Sequence, residues 1–382
     1  MPDGRSSSST FDHLWSTVEH WVEDFPDAPT RWHRKGISRR TERRFHVAAS
    51  VFISLIALGW TWTIATGRTD ASGLSMTTGI ISRALTDRRA PSVAYLTDAA
   101  LSLVVPARGE SGRLRVRVEN PGATLSTDSL PEGAVATFST GAVAESTAVL
   151  QAPRKSGVWS FAVALGNVIR PVADFSLITL KPASEKRGGR IGLYFIGNWP
   201  GAREGPRGVR YEPPRGFIEV TRERQSTLLS DHFRLRDFFP HDQANVWPKY
   251  IVVDMKLVDK LELILTELRQ RGIDTRGVKV MSGFRTPQYN TGVGDTRGRA
   301  SLSRHMYGDA ADIFIDNDGN GGMDDLNRDG RVNTDDARVI LAAANRVEAA
   351  HPSLIGGVGV YPGTSAHGPF THIDTRGYPA RW

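Results

Sequence analysis

Hydrophobic and polar positions along this chain fall into distinct patterns. Residues 47–66 read VAASVFISLIALGWTWTIAT, twenty positions without a charge. That is enough for a helix to cross a hydrocarbon core of about 30 Å. Ahead of it, Phe11, Leu14, Trp15, Val18 and Val22 recur at helical spacing and predict a short amphipathic helix, with His13 and His20 on its other face. From residue 95 to 182, short apolar runs alternate with turn residues, and in RLRVRVE the side chains of Leu114, Val116 and Val118 share a face. Strands at this spacing predict a small antiparallel β-sandwich. Beyond residue 188 the period changes. Leu257, Leu261, Ile264, Leu265 and Leu268 form one helical stripe that Gly272 ends, and residues 334–350 predict a second helix with Thr334 as its N-cap. VKVMS, AADIFI, GGVGVY and PFTHIDT read as strands. Together these elements predict an α+β domain.

Polar stretches separate the patterns. Residues 67–94, rich in Thr, Ser, Gly and Arg, read as a linker, and ASEKRGGR at 183–190 reads as a hinge. The expected order is therefore an N-terminal segment (1–46), a membrane span (47–66), a linker (67–94), a β-sandwich (95–182) and an α+β domain (188–382). Arg39, Arg40, Arg43 and Arg44 precede the span, so the first segment should stay in the cytoplasm and the rest should be exported. Trp60 and Trp62 suit the outer interface. A cleaved signal peptide would start nearer the N-terminus.

Composition narrows the chemistry. The chain has 382 residues, 40% of them hydrophobic and 23% charged, in the range of globular proteins. With no cysteine, disulfides and thiolate metal sites are excluded, so any transition metal must use histidine and carboxylate. The net charge of +7 suits an acidic polymer such as cell wall, a membrane surface, or plain solubility. No Arg/Lys run interleaved with aromatics marks a nucleic-acid surface, and none is expected as a partner.

Two stretches carry candidate chemistry. SRHMYGDAAD places His305 and Asp312 seven residues apart, and FTHID supplies His372. Two imidazoles and one carboxylate are a ligand set for hydrolytic zinc, with the fourth position open. Asp312 opens an apolar strand, where a carboxylate is costly unless it is paired or metal-bound. Taken singly, either histidine reads as an ordinary partly buried residue. Upstream, MSGFRTPQYN carries Arg285.

The order Ser-Gly-Phe-Arg, then Ser-x-His-x-x-Gly-x-Ala-x-Asp, then a late His resembles the LAS metallopeptidases, over residues 226–382. That superfamily includes D-Ala-D-Ala carboxypeptidases, murein endopeptidases and the Hedgehog signalling domain. The close of the chain, THIDTRGYPARW, is most similar to the murein endopeptidase branch. The resemblance implies a Hedgehog/D-Ala-D-Ala peptidase-like fold and Zn²⁺ on His305, Asp312 and His372. It implies hydrolysis of amide bonds in peptidoglycan stem peptides or cross-links. It also implies a bacterial setting, with the exported part in the periplasm of a double-membrane cell. Arg285 matches the family arginine that contacts the substrate carbonyl or carboxylate, and Ser303 matches the serine two residues before the first ligand, although a turn role serves Ser303 equally.

The general base departs from the family pattern. Many members carry an acid or second histidine two or three residues before the last ligand, where Pro369 and Phe370 stand here. Asp374 is the preferred candidate. It shares a strand face with His372, and could approach the attacking water or orient the imidazole. His367, in the preceding Gly-rich loop, is the second. The same departure keeps open a non-catalytic, zinc-containing cell-wall-binding or scaffold protein of this fold.

DLNRDGRVNTDD at 325–336 follows the EF-hand loop pattern. Asp325, Asn327 and Asp329 take positions 1, 3 and 5, Gly330 position 6, the Arg331 carbonyl position 7, Asn333 position 9 and Asp336 position 12. Asp at the last position resembles dockerin loops, but one well-formed copy does not make a dockerin. A structural Ca²⁺ is expected in an insertion at 316–336, where a further acidic run begins at Asp316.

Overall fold

The computed structural model describes residues 105–382 except 127–133, 142, 148–149, 166–167, 209, 295 and 297–298. The expected membrane span, the segments flanking it and residues 95–104 lie outside the described residues. Among the described residues, no helix is long and apolar enough to cross a membrane.

The first strands are β1 (Val116–Glu119), β2 (Ala134–Ser139), β3 (Ala144–Thr147), β4 (Gly157–Leu165) and β5 (Val168–Thr179). They form one sheet in the order β1-β5-β4-β2-β3, in which β1 and β5 run parallel and the other pairs antiparallel. This corrects the expected two-sheet antiparallel sandwich. The reason lies in the register, which pairs Trp159 with Leu177 and Val158 with Ile178. Trp159 and Leu177 pack with Phe138, Phe161 and Leu150 on one face. Val158 and Ile178, on the other face, join the large core that holds Leu257, Ile313 and Ile340. Around Val158, Trp159, Leu177 and Ile178 both faces of β4 and β5 are buried, so no second sheet is needed to cover them there. Inside the sheet, the Trp159 indole donates to Thr179 Oγ1 at 2.8 Å, which satisfies a fully buried donor.

The expected hinge at 183–190 is likewise built into the structure. β6 (Lys181–Pro182) pairs with β11 (Gly216–Val220), which pairs in turn with β12 (Lys249–Ile251). Two short ribbons intervene: β7 (Arg190–Ile191) with β8 (Tyr194–Phe195), and β9 (Arg203–Glu204) with β10 (Arg210–Tyr211). β1 is tied to the C-terminal part twice. Arg115 N donates to Leu229 O at 2.9 Å, and the Arg115 guanidinium meets Asp231 at 2.7 Å.

The C-terminal sheet has the order β13-β14-β16-β15-β17. These strands are β13 (Val278–Ser282), β14 (Ala310–Ile315), β15 (Gly357–Tyr361), β16 (Phe370–Asp374) and β17 (Ala380–Arg381). Helices α1 (Met255–Gln270) and α3 (Thr334–Ala350) pack against one another, with the short α2 (Pro287–Gly292) apart. All five residues of the α1 stripe are buried, each contributing roughly 1.5–3 kcal/mol of apolar burial. Asp254 caps α1 by accepting from Lys256 N, and Gly272 follows its end at φ +78°. The N-cap of α3 is Asn333 and not Thr334. The Asn333 side chain accepts from Asp335 N, and Asp336 closes a capping box.

Candidate metal centre

The antiparallel pairing of β14 and β16 sets Asp312 directly opposite His372. Side chains so placed lie on one face of the sheet, about 5 Å apart at Cβ. His305 arrives from a single 3₁₀ turn, Arg304–Tyr307, closed by Gly308 in the left-handed region at φ +76°. A Cβ on Gly308 would also lie 2.5 Å from Val252 O, so the turn needs glycine.

The Ser-Gly-Phe-Arg loop holds His305 and Asp312 in place. His305 Nδ1 donates to Gly283 O at 2.7 Å, which leaves Nε2 to face the centre. Arg285 donates from Nη2 to Asp312 Oδ2 and from Nε to Ser282 Oγ, both at 2.8 Å. Gly283 must be glycine, because a Cβ there would lie 2.6 Å from Phe238 Cα.

His305 Nε2, His372 Nδ1 and Asp312 Oδ1 then form a triangle with edges of 3.2, 2.8 and 3.3 Å. Bonds of about 2.0–2.1 Å in tetrahedral geometry separate ligand atoms by about 3.3 Å, so the three atoms fit one face of a zinc tetrahedron. All three residues are buried. Burial raises the Asp312 carboxyl, but His305 and His372 outweigh that and hold it well below the usual carboxylate range. Burial lowers His372, yet the Asp312 and Asp374 carboxylates outweigh it and lift the imidazole to about 9. His305 is pushed down by burial, with Asp312 opposing.

Asp374 lies behind His372. Its Oδ2 faces His372 Nε2 at 3.1 Å, on the imidazole nitrogen opposite the triangle. Its Oδ1 accepts from Gly357 N at 2.7 Å and Arg376 N at 3.0 Å, and the Arg376 guanidinium grips both oxygens. The carboxylate is fully buried. Burial raises its pKa, but His372 and Arg376 outweigh that and hold it far below the usual range. So placed, Asp374 has the geometry of the second role expected of it, orienting His372, and its oxygens are occupied by His372, Gly357 and Arg376 on the side away from the triangle. His367 lies outside β16. Its Nδ1 donates to Gly368 O at 2.8 Å, leaving Nε2 as the acceptor nitrogen, and its ring packs edge-on against Phe370. Ser303 is buried at the start of the His305 turn, where its carbonyl accepts from Met306 N.

Several residues at the site went unmarked in the sequence. Arg376 falls two positions past Asp374, and the alternation 372, 374, 376 was the available signal. Lys260 is fully buried in α1 and donates to Asp374 O at 2.7 Å and Glu348 Oε1 at 2.6 Å. Its place inside an apolar stripe could have marked it. Trp382 lies against His372 with ring centroids 5.3 Å apart and donates to Tyr361 OH at 2.7 Å.

In the expected calcium loop, Asp325 accepts from Asp329 N and Gly330 N, Asn327 Oδ1 from Asp329 N, and Asp329 Oδ1 from Arg331 N. Asp336 is fully buried, and its oxygens accept from Leu326, Asn327 and Asn333 N–H groups. Among the described residues, the carboxylates of Asp316, Asp318 and Asp324 converge to within 4.8 Å of one another. The comparisons with protein-family models, with curated proteins and with solved structures find no match to this chain.

Proposed function

We propose that the chain is a zinc-dependent amide hydrolase acting on peptides of the bacterial cell wall, at stem peptides or cross-links. In this reading residues 47–66 anchor it in the cytoplasmic membrane and the C-terminal part is exported. The observation that carries the reading is the triangle of His305 Nε2, Asp312 Oδ1 and His372 Nδ1, whose edges fit one face of a zinc tetrahedron. The substrate class rests on the resemblance of the SGFR, SRHMYGDAAD and FTHID motifs.

Zinc held by three protein ligands supplies Lewis acidity at the scissile carbonyl and acidifies water. The protein residues do the rest. Gly283 O and Asp374 fix which nitrogen of each imidazole faces the metal. Arg285 aligns Asp312 and brings positive charge to the edge of the site, where an oxyanion would develop. His367, with its Nδ1 hydrogen committed to Gly368 O, is the residue assigned to accept the proton of the attacking water.

The test is metal content and turnover of the full chain. About one zinc per chain is expected, with hydrolysis of cross-linked muropeptides that His305→Ala abolishes together with the zinc. Zinc without hydrolysis of any muropeptide would favour the cell-wall-binding reading. A wild-type chain that takes up no transition metal sinks both.

A further inference from the structure

We propose that Asp316, Asp318 and Asp324 form a second cation site, selective for a hard divalent ion of the calcium type, at the end of the strand that carries Asp312. The proposal does not depend on the zinc reading. One ligand oxygen from each of the three carboxylates lies within 4.8 Å of the others. Asp316 is only 6% exposed, and its Oδ1 is buried with no hydrogen-bond partner. A carboxylate oxygen taken from water and left unpaired beside two further carboxylates is strongly disfavoured, and a bound cation removes both the repulsion and the missing contact.

The surroundings complete the case. Asp316 Oδ2 accepts from Gly321 N at 3.2 Å, so the carboxylate is anchored at one oxygen while Oδ1 has no hydrogen-bond partner. Asp324 is placed by its own N–H, which donates to Ile315 O at 2.8 Å, and by its Oδ2, which accepts from Asn317 N at 2.9 Å. Asp318 is exposed, and an open depression of about 470 Å³ lies over Asp318 and Asp324, giving an ion and its waters access. Oxygen-only ligands with three negative charges suit Ca²⁺, which takes six to eight oxygens in flexible geometry; zinc would prefer nitrogen.

The site would act on the rim of the metal centre. Asp316 directly follows β14, four residues and about 13 Å along the strand from Asp312. The loop it closes runs to Met323, and Gly322 and Met323 back Gly368, where a Cβ would lie 3.6 Å from Met323 N. An ion here fixes both the end of β14 and the wall behind the His367 loop.

Calcium titration of the zinc-loaded full chain, by calorimetry and by thermal melting, tests the proposal. Asp318→Ala alters an exposed side chain and should leave folding intact. It should bind one calcium fewer than the wild type and lose part of the calcium-dependent rise in Tm, on the order of 5 °C at saturating ion. Asp329→Ala, in the neighbouring loop, should retain this equivalent. Asp316→Asn should behave as Asp318→Ala if it folds. If Asp318→Ala binds as many calcium ions as the wild type with equal affinity, the proposal is overturned.

Discussion

Replacing Asp374 by Asn separates an orienting carboxylate from a base. In the structure Asp374 accepts from Gly357 N, Arg376 N, the Arg376 guanidinium and His372 Nε2. An amide keeps the shape but turns an NH₂ toward groups that also donate. Arg376, whose side chain is 16% exposed, loses its carboxylate partner and keeps Tyr378, and breaking such an enclosed ion pair costs about 3–5 kcal/mol. The imidazole loses the acceptor that kept hydrogen on Nε2, so the tautomer with hydrogen on Nδ1 gains population and the ligand nitrogen is blocked. Loss of a carboxylate behind a ligating histidine weakens metal affinity on the order of 10–100-fold. Competition with a chromophoric chelator measures that affinity, and turnover on cross-linked muropeptides is read at saturating zinc, below the lowered Tm. Weak zinc binding with turnover restored by excess zinc is expected. Wild-type zinc affinity with turnover reduced about 10²–10⁴-fold at saturation would identify Asp374 as the base and refute the orienting role.

His367→Ala should do the reverse, keeping zinc content while lowering turnover at least about 10²-fold; normal turnover would remove His367 from the chemistry. Lys260→Met should strand the buried Glu348 carboxylate, which also holds Arg381 and Gly356 N, at a cost of about 3–5 kcal/mol by denaturant unfolding. Leu261→Ala, in the wholly buried α1 stripe, should cost about 2–5 kcal/mol in the same assay, and a cost under 1 kcal/mol would contradict the packing. Burial lifts Asp309 to about 6, against the pull of Arg304. The folded chain thus holds a proton there that the unfolded chain has released above pH 4. The resulting stabilisation is complete below about pH 4 and lost as pH rises through 6. Asp309→Asn should therefore gain on the wild type in Tm between pH 4 and 6, and a constant difference across that window would disprove it.

Much of the C-terminal part is legible in the sequence because its side-chain types sit at positions with a clear period. The α1 stripe is one example. The candidate ligands His305, Asp312 and His372 are legible by type, but their convergence is not, since it depends on the register that sets Asp312 against His372. The first sheet differs from the expected sandwich for a physical reason. VWSFAVAL and FSLITL carry apolar residues at adjacent positions, as at Val158 and Trp159 or Leu177 and Ile178. Such runs signal a strand buried on both faces. Strand spacing alone points to an antiparallel sandwich, whereas the content of these strands fits burial on both faces. At residues 316–336 the acidic pattern was visible, but backbone hydrogen bonds, not ligand spacing, decide which carboxylates turn inward. Asp336 is drawn into the cap of α3, while Asp316 keeps one oxygen unpaired.

The ionic cluster behind His372 bears on why the site is built as it is. Lys260, Glu348, Asp374, Arg376 and Arg381 form a connected chain of contacts. Apolar residues of similar volume would hold α1 against α3 at least as well, because desolvation offsets most of the gain from a buried pair. What apolar residues cannot do is fix the rotation of an imidazole. Asp374 needs Arg376 to stay ionised while fully buried, and its backbone carbonyl is held by Lys260, which Glu348 neutralises. Each charge is thus required by the next, and the chain ends on the one nitrogen, His372 Nε2, whose hydrogen must stay in place if Nδ1 is to face a metal. Stability alone gives no reason for this arrangement, whereas a ligand that must present one defined nitrogen does.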